Sequence, residues 1–525
     1  MATSDTSNSS TERSSLPSGE RHGALLSNAA AVMAVASAVE GTLGPKGLNS
    51  MLVDRYGEVT ITNDGATILE RMEVSHPAAQ LVIATAQAQA REAGDGTTTA
   101  TLLAAALVSE AVTHVRNGVP VIKLIEGMRA GMQDALDYCA AQALPLSGPD
   151  DPRLRQAALI AGRGEGEIAD LTVAAARRLG VDRLREEGFR LADVVVAQQG
   201  APTSLIDGLV LDRARLNRQM PRQVSPAVIL LLDDALEPET VEPEALGTEA
   251  GFQRYLRLQD EFRQDLSRLT ESGVNCVFVR RAIGDYAEEL ITAVGMLAVR
   301  RLSARDLTRL AETTGAHPLK RSALRKSPEE LRPLLGRAEQ VVEHEHWDHL
   351  QVLGGAGEPT ATLLVGAATR EVRQERQRIA EDAAAAVQAA LVGGVLPGGG
   401  ASELACARHV CEQRSRWPGM AAYGLDCVTE ALKRPLAQMV ANAGFNPLEK
   451  VEAAWAAQAQ NGPALAVDCD TGQVADMLAL EVVDAAPVKT QALGAALEIA
   501  EAILRINTIL RQKPLDTSAS SSEPI

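Results

Sequence analysis

Residues 24–40, ALLSNAAAVMAVASAVE, space Leu25, Ala29, Val32, Ala36 and Val39 along one helical face, and Gly41 ends the run. This spacing predicts an amphipathic helix. A secretion-signal core ending in ASA is the weaker reading, because the stretch starts late and contains Asn28. Two runs rich in β-branched residues follow, MLVDR (51–55) and EVTIT (58–62), and flank Tyr56-Gly57. They predict a hairpin. The pattern is otherwise helical to about residue 140. From about 205 to 357 the texture changes, with apolar runs at PAVILLL (226–232), VNCVFV (274–279) and MLAVR (296–300). These alternate with helical stretches such as Asp285 to Val294, which predicts an α/β module set between helical parts. A polar helix over 370–392 stops at Gly393-Gly394, as glycines at a helix C-terminus do. Helical texture then continues to Leu510, with Leu493, Leu497, Ala500 and Leu504 in one stripe. If both flanks fold together, the middle is an insertion. Residues 1–20 and the tail from 513 are rich in Ser and Thr and poor in apolar residues, so they read as disordered.

A length of 525 residues allows about three domains. Aromatics make up only 2% against 46% hydrophobic residues, so the core must be aliphatic and alanine-rich. The formal charge of −17 repels nucleic acid and anionic membrane, and neither is expected as a partner. No run of eighteen apolar residues exists, so no membrane span is predicted. Cys139, Cys276, Cys406, Cys411, Cys427 and Cys469 are scattered without a CxxC pair. That argues against a zinc ribbon or redox motif and for reduced thiols in a cytoplasmic protein.

Chemistry concentrates in glycine-rich punctuation. In EAGDGTTTATLL (92–103), Gly94 and Gly96 permit a tight turn and close backbone approach. Thr97, Thr98 and Thr99 stand where a helix over Ala100 to Val112 begins, and a helix N-terminus attracts anions. Asp95 beside that anion site makes sense if a divalent cation lies between carboxylate and phosphate. The alternative is a capped helix start, since Asp and Thr are good N-caps. A Walker A loop is absent.

GTLGPKG (41–47), TNDGAT (62–67), GDGTTTA (94–100) and LPGGGAS (396–402) are each weak signals alone. Together, in this order, they resemble the chaperonins, best the group II type (the thermosome and its relatives) with the bacterial group III members. HPAAQL (76–81), FVRRAIGDYA (278–287), NAGFNPLEK (442–450) and DMLALEVVDAAPVKTQALGAALEIAEAILRIN (476–507) extend the resemblance over about residues 21–512. It implies a multidomain α plus α/β chaperonin fold. A mostly helical equatorial domain would use 1–146 and 398–525. A small intermediate hinge domain would use 147–204 and 358–397. An α/β apical domain, 205–357, would carry a helical protrusion.

The resemblance also implies site roles. Asp95 would ligate Mg²⁺ on the phosphates of ATP, held by Gly96, Thr97, Thr98 and Thr99. Thr42, Leu43, Gly44 and Pro45 would cover the nucleotide. Gly399 would approach the ribose, and Asp484 would contact the sugar or stand as a helix N-terminal aspartate. Asp382, in IAEDAAAAV, would be the catalytic aspartate, with Asp54 positioning water; neighbouring Asp64 would assist or cap a turn. Arg163 stands in a nucleotide-sensing loop where the group usually has lysine, and a fork replaces a point charge there. The family's RGGT becomes VGAAT (365–369), losing a charge.

The implied machine is an ATPase that encloses non-native polypeptide clients in two stacked rings, commonly of eight subunits each. Residues 238–270, with Phe252, Tyr255, Phe262, Leu266 and Leu269 on one helix side, would form a built-in lid, so no separate co-chaperonin is expected. A non-hydrolysing scaffold and a group I-like machine with a separate lid are the alternatives. HEHWDH (344–349) fits a metallohydrolase-like HxHxDH pattern, with His344 and His346 on one face if it were a strand. The resemblance makes it an apical edge instead.

Overall fold

The computed structural model describes residues 23–508 except 240 and 348. The tails expected to be disordered therefore lie outside the described residues. The chain forms two compact units, 1–145 with 393–525, and 146–392.

The first unit is built on helices Gly23–Val39, Pro77–Ala93, Thr97–Arg116, Val121–Gln142, Ala401–Gln413, Ala422–Asn442, Pro447–Asn461 and Ala486–Leu504. Thr97–Arg116 is its axis. Leu102, Leu103, Ala104, Leu107, Val108 and Ala111 are all buried, and the helices at 23–39, 422–442 and 486–504 pack around it. A helix apolar on nearly every side belongs in a core. It is long and apolar enough to cross a membrane, but here its apolar faces meet other helices. It begins three residues earlier than the sequence suggests, because all three threonines enter its first turns.

Small residues let these helices close up. A Cβ on Gly127 would lie 1.8 Å from the Ala421 carbonyl oxygen, and one on Gly424 would lie 2.4 Å from that of Leu124. The core is aliphatic and alanine-rich, as the low aromatic content requires. The hairpin forms as expected, with Ser50–Val53 antiparallel to Val59–Thr62. Val395–Pro397 pairs with Val483–Ala485, setting Leu396 opposite Asp484.

The second unit holds two sheets. Ala227–Leu232, Cys276–Val279 and Leu297–Val299 run parallel, and Gly336–Glu343, Leu350–Gly355 and Gly208–Leu211 continue the sheet antiparallel. Both faces are apolar, as buried parallel strands require. Leu230, Leu232, Val277 and Val279 face one core with Phe262, Leu266 and Leu269 of helix Glu249–Glu271. Ile229, Leu231, Cys276 and Phe278 face another with Leu307 and Leu310. The smaller sheet joins Val195–Gln199, Thr362–Ala367 and Ser204–Ile206. Val365, which opens VGAAT, is fully buried there.

Gly127→Ala is expected to destabilise the first unit by about 1–3 kcal/mol through overpacking. A fall of several degrees in apparent melting temperature, with the Gly494→Ala control much milder because that helical glycine has open surroundings, would show that helix contact is the cause.

Candidate functional site

Chain segments from both ends meet at the start of helix Thr97–Arg116. Gly96 is its N-cap at φ 85° and, being glycine, brings no side chain of its own to the cap. The first N–H groups of a helix have no intrahelical acceptor and carry partial positive charge. Asp95 turns Oδ1 onto the Gly96 N–H at 2.6 Å, which fixes the carboxylate beside that helix end. Thr97 is buried, and Thr98 and Thr99 are half-buried.

Four contacts fasten the other glycine turns around it. Gly65 lies against Thr98, where an added Cβ would sit 2.1 Å from Oγ1. Gly96 lies over Val488, with 3.1 Å to Cγ1 from a Cβ. Gly398 accepts no side chain without meeting Val482 and the Asp484 carboxylate, at 3.0 and 3.1 Å. Gly44 and Gly400 share one neighbour, Met439, which a Cβ on either would approach to 3.0 Å or less. The loop of Thr42, Leu43, Gly44 and Pro45 is thereby tied to the triple glycine of Gly399. Asn442 Nδ2 also donates to the Glu40 and Leu43 carbonyls, each at 2.9 Å. Gly399 and Gly400 have φ of 60° and 81°, a region glycine enters at little cost.

The two aspartates near the hairpin part company. Asp64 is buried, caps helix Gly65–Arg71 by accepting the Thr67 N–H, and adjoins the Gly65–Thr98 contact. Asp54 sits in the hairpin turn, and its Oδ1 accepts from the Tyr56 and Glu58 N–H groups at 2.8 Å. A four-residue ladder separates it from the hairpin base, about 13 Å at the rise of a strand. Of this pair the structure brings Asp64, not Asp54, to the threonine loop.

Asp484 lies on the strand before helix Ala486–Leu504, not in a capping position, since Ala485 is the N-cap. Its Oδ2 is 2.8 Å from Lys489 Nζ, and Lys489 reaches Glu403 Oε1 at 2.6 Å. Burial pulls the Lys489 ammonium down, but the Asp484 and Glu403 carboxylates outweigh it and hold it above the ordinary lysine value. Glu403 and Lys489 were not singled out in the sequence. The available signal is a charge set inside an apolar run, in SELACA and in AAPVKTQAL.

Asp382 and Arg163 belong to the second unit. Asp382 is on helix Arg370–Gly393, with Ala380, Ala383 and Ala384 buried around it. Arg163 takes left-handed backbone at φ 55°, followed by Gly164 at φ 82°, in the turn after helix Pro152–Ala161. Its guanidinium meets Glu375 at 2.5 Å and approaches Asp382 Oδ2 at 3.9 Å.

HEHWDH is a hairpin connection, not a strand, because Gly336–Glu343 ends before it and Leu350–Gly355 begins after it. His344 stacks on Trp347 with centroids 3.7 Å apart, and His349 is buried. Burial holds both the His344 and His349 imidazoles below their ordinary value. Asp348 lies outside the described residues, and no metal-ligating group of three occurs among those described.

A model of the TCP-1/cpn60 chaperonin family matches residues 35–514. The thermosome β subunit of Archaeoglobus fulgidus is 35% identical over 506 residues, covering 93% of this chain and 92% of that one. The Pyrococcus abyssi thermosome subunit is 32% identical over 515 residues, covering 93% and 91%. A group III chaperonin crystal structure in the open state aligns with a TM-score of 0.85 at 46% identity, over 94% of this chain and 99% of that chain. With helical and α/β parts in place and its glycine turns gathered at one helix start, this chain belongs to the TCP-1/cpn60 chaperonin family, as a group II-type member.

Proposed function

We propose that the ATP-dependent chaperonin activity of this chain is divided between its two units: one cradles Mg²⁺-ATP, and the other brings the hydrolytic carboxylate Asp382 and a built-in lid. The observation that carries the reading is the start of helix Thr97–Arg116 at left-handed Gly96, with Asp95 beside it and Gly65 packed on Thr98. Backbone N–H groups at such a start bind phosphate oxygens. Asp95 fits a Mg²⁺ site, being one fixed carboxylate next to a phosphate cradle, which is the donor set this ion takes. When bound, the ion neutralises charge on the phosphate oxygens.

Asp382 orients and deprotonates the attacking water, and Asp64 is the second carboxylate in place of Asp54. Arg163 holds Asp382 in the present arrangement, and a nucleotide's terminal phosphate would compete for that guanidinium. Asp484 accepts from the sugar hydroxyls.

Within the second unit, we assign the three-stranded sheet and its helices to the intermediate domain, 147–204 and 358–397. The larger sheet is the apical domain, 205–357, and the rest, 1–146 and 398–525, is equatorial. Helix Glu249–Glu271 divides into a packed C-terminal half, with Phe262, Leu266 and Leu269 buried, and an N-terminal half exposing Phe252, Tyr255 and Leu256. An exposed apolar protrusion suits a lid that closes against its neighbours and needs no separate co-chaperonin. Ring assembly and client binding accompany chaperonin membership, and we assign two rings of eight, working in the cytoplasm. One hairpin face supports a subunit contact: Met51 opposes Ile61 and Val53 opposes Val59, all exposed and apolar.

Asp382→Ala is expected to lower steady-state ATPase at least about a hundredfold, with nucleotide affinity changed less than about threefold by calorimetry. An unchanged rate would remove Asp382 from the chemistry, and equal negligible rates in wild type would favour a scaffold. Deleting residues 238–251 should abolish protease protection of an enclosed client under ATP and a transition-state mimic, while ATP hydrolysis persists; retained protection would count against the lid. Val53→Asp with Ile61→Asp should release monomers or small assemblies in size-exclusion chromatography with light scattering.

A further inference from the structure

Lys489 is buried between two carboxylates that come from different elements. Glu403 is the third residue of the helix that follows the triple glycine, and only 2% of it is exposed. Asp484 comes from the strand paired with Val395–Pro397, and its carboxylate faces Gly398. The ammonium bonds Glu403 at 2.6 Å and Asp484 at 2.8 Å. The second Glu403 oxygen is buried and has no hydrogen-bond partner among the described residues. Two carboxylates thus share one cation, and the trio keeps a net charge of about −1.

Such a trio is unequal. The Glu403 side chain is 3% exposed, whereas that of Asp484 is 23% exposed. Glu403 is therefore the fixed anchor, and Asp484 is the member that reaches the open side of the triple-glycine turn. Lys489 takes one oxygen of Asp484, Oδ2, and no other ion pair or hydrogen bond engages that carboxylate among the described residues. Without the ammonium, Asp484 would lose the contact that holds its carboxylate in place and would turn away from its neighbour Glu403. That would spoil it as an acceptor for a hydroxyl.

We infer that Lys489, held by Glu403, is a positioning residue that keeps Asp484 aimed past Gly398, and so sets the preference of the nucleotide site for a hydroxylated sugar. This rests on the reading that Asp484 contacts the sugar. The competing role is a buried staple between helices Ala401–Gln413 and Ala486–Leu504, with no bearing on the ligand.

The test uses the assembled full-length protein with ATP and 2′,3′-dideoxy-ATP, measuring KM and kcat for each. Wild type should discriminate by about tenfold in KM, the scale of a hydrogen bond to a charged acceptor. Lys489→Met should raise the ATP KM about tenfold, leave the dideoxy KM nearly unchanged and alter kcat less than about twofold. Because that variant leaves the buried Glu403 carboxylate without its cation, Glu403→Leu with Lys489→Met is the second variant; an apolar swap of a buried pair is usually tolerated. It too should lose discrimination. Asp484→Ala should lose it equally, and adding Lys489→Met to it should cost nothing further. If Asp484→Ala abolishes discrimination but the paired swap preserves it, the positioning role is overturned and the staple stands. If Asp484→Ala itself leaves discrimination intact, the sugar contact fails, and the inference with it.

Discussion

The start of helix Thr97–Arg116 is the constraint around which the first unit is organised. The helix runs through the core, so its N-terminal N–H groups open where other chain segments also arrive. A side-chain cap would ordinarily satisfy them. Here a left-handed glycine takes the cap position, and Asp95 accepts the N–H of that glycine. Glycine at 65, 96 and 398 is required by contact, and at 96 by its φ of 85° as well, because Thr98, Val488 and Asp484 occupy the space a Cβ would need. An anion-binding geometry of this kind is assembled from backbone, and the surrounding glycines are its steric condition.

That origin explains what could be read in the sequence. Local rules reached the hairpin, the apolar strands at 227–232 and 276–279, the helix ending at Gly393 and the glycine turns, because each depends on a few adjacent residues. The meeting of Gly44 with Gly400 through Met439 could not be read that way, since hundreds of residues separate them and a methionine carries no chemical signature. The two aspartates show the same limit. Asp54 and Asp64 lie ten positions apart in similar surroundings, and only the strand register puts one in the turn and the other at the base. HEHWDH imitated a ligand pattern, but the alternation that would align His344 with His346 stops at Glu343.

The second unit treats its charges differently. Arg163 adopts a backbone conformation costly for a residue with a Cβ, and such strain is kept when the surroundings impose it. What it yields is a guanidinium between Glu375 and Asp382 on one helix. A lysine could supply the charge, but a forked group can hold two carboxylates at once. On the proposed reading this arginine tethers the hydrolytic carboxylate, a role its sequence position alone would not reveal.

Charge placement then follows one logic in both units. Asp382 and Asp484 are each partly exposed carboxylates beside a cation that a second acid also contacts, Glu375 in one case and Glu403 in the other. A lone carboxylate in a half-dry cleft drifts toward protonation. One paired directly and fully with a cation loses its power to accept a hydroxyl or a water proton. Sharing the cation with a second acid lies between these limits: the ammonium or guanidinium preserves ionisation, and the competing acid weakens its grip. The two contacts differ in length, 3.9 Å at Asp382 against 2.8 Å at Asp484. On the proposed reading the closer one suits an acceptor that only has to stay in place.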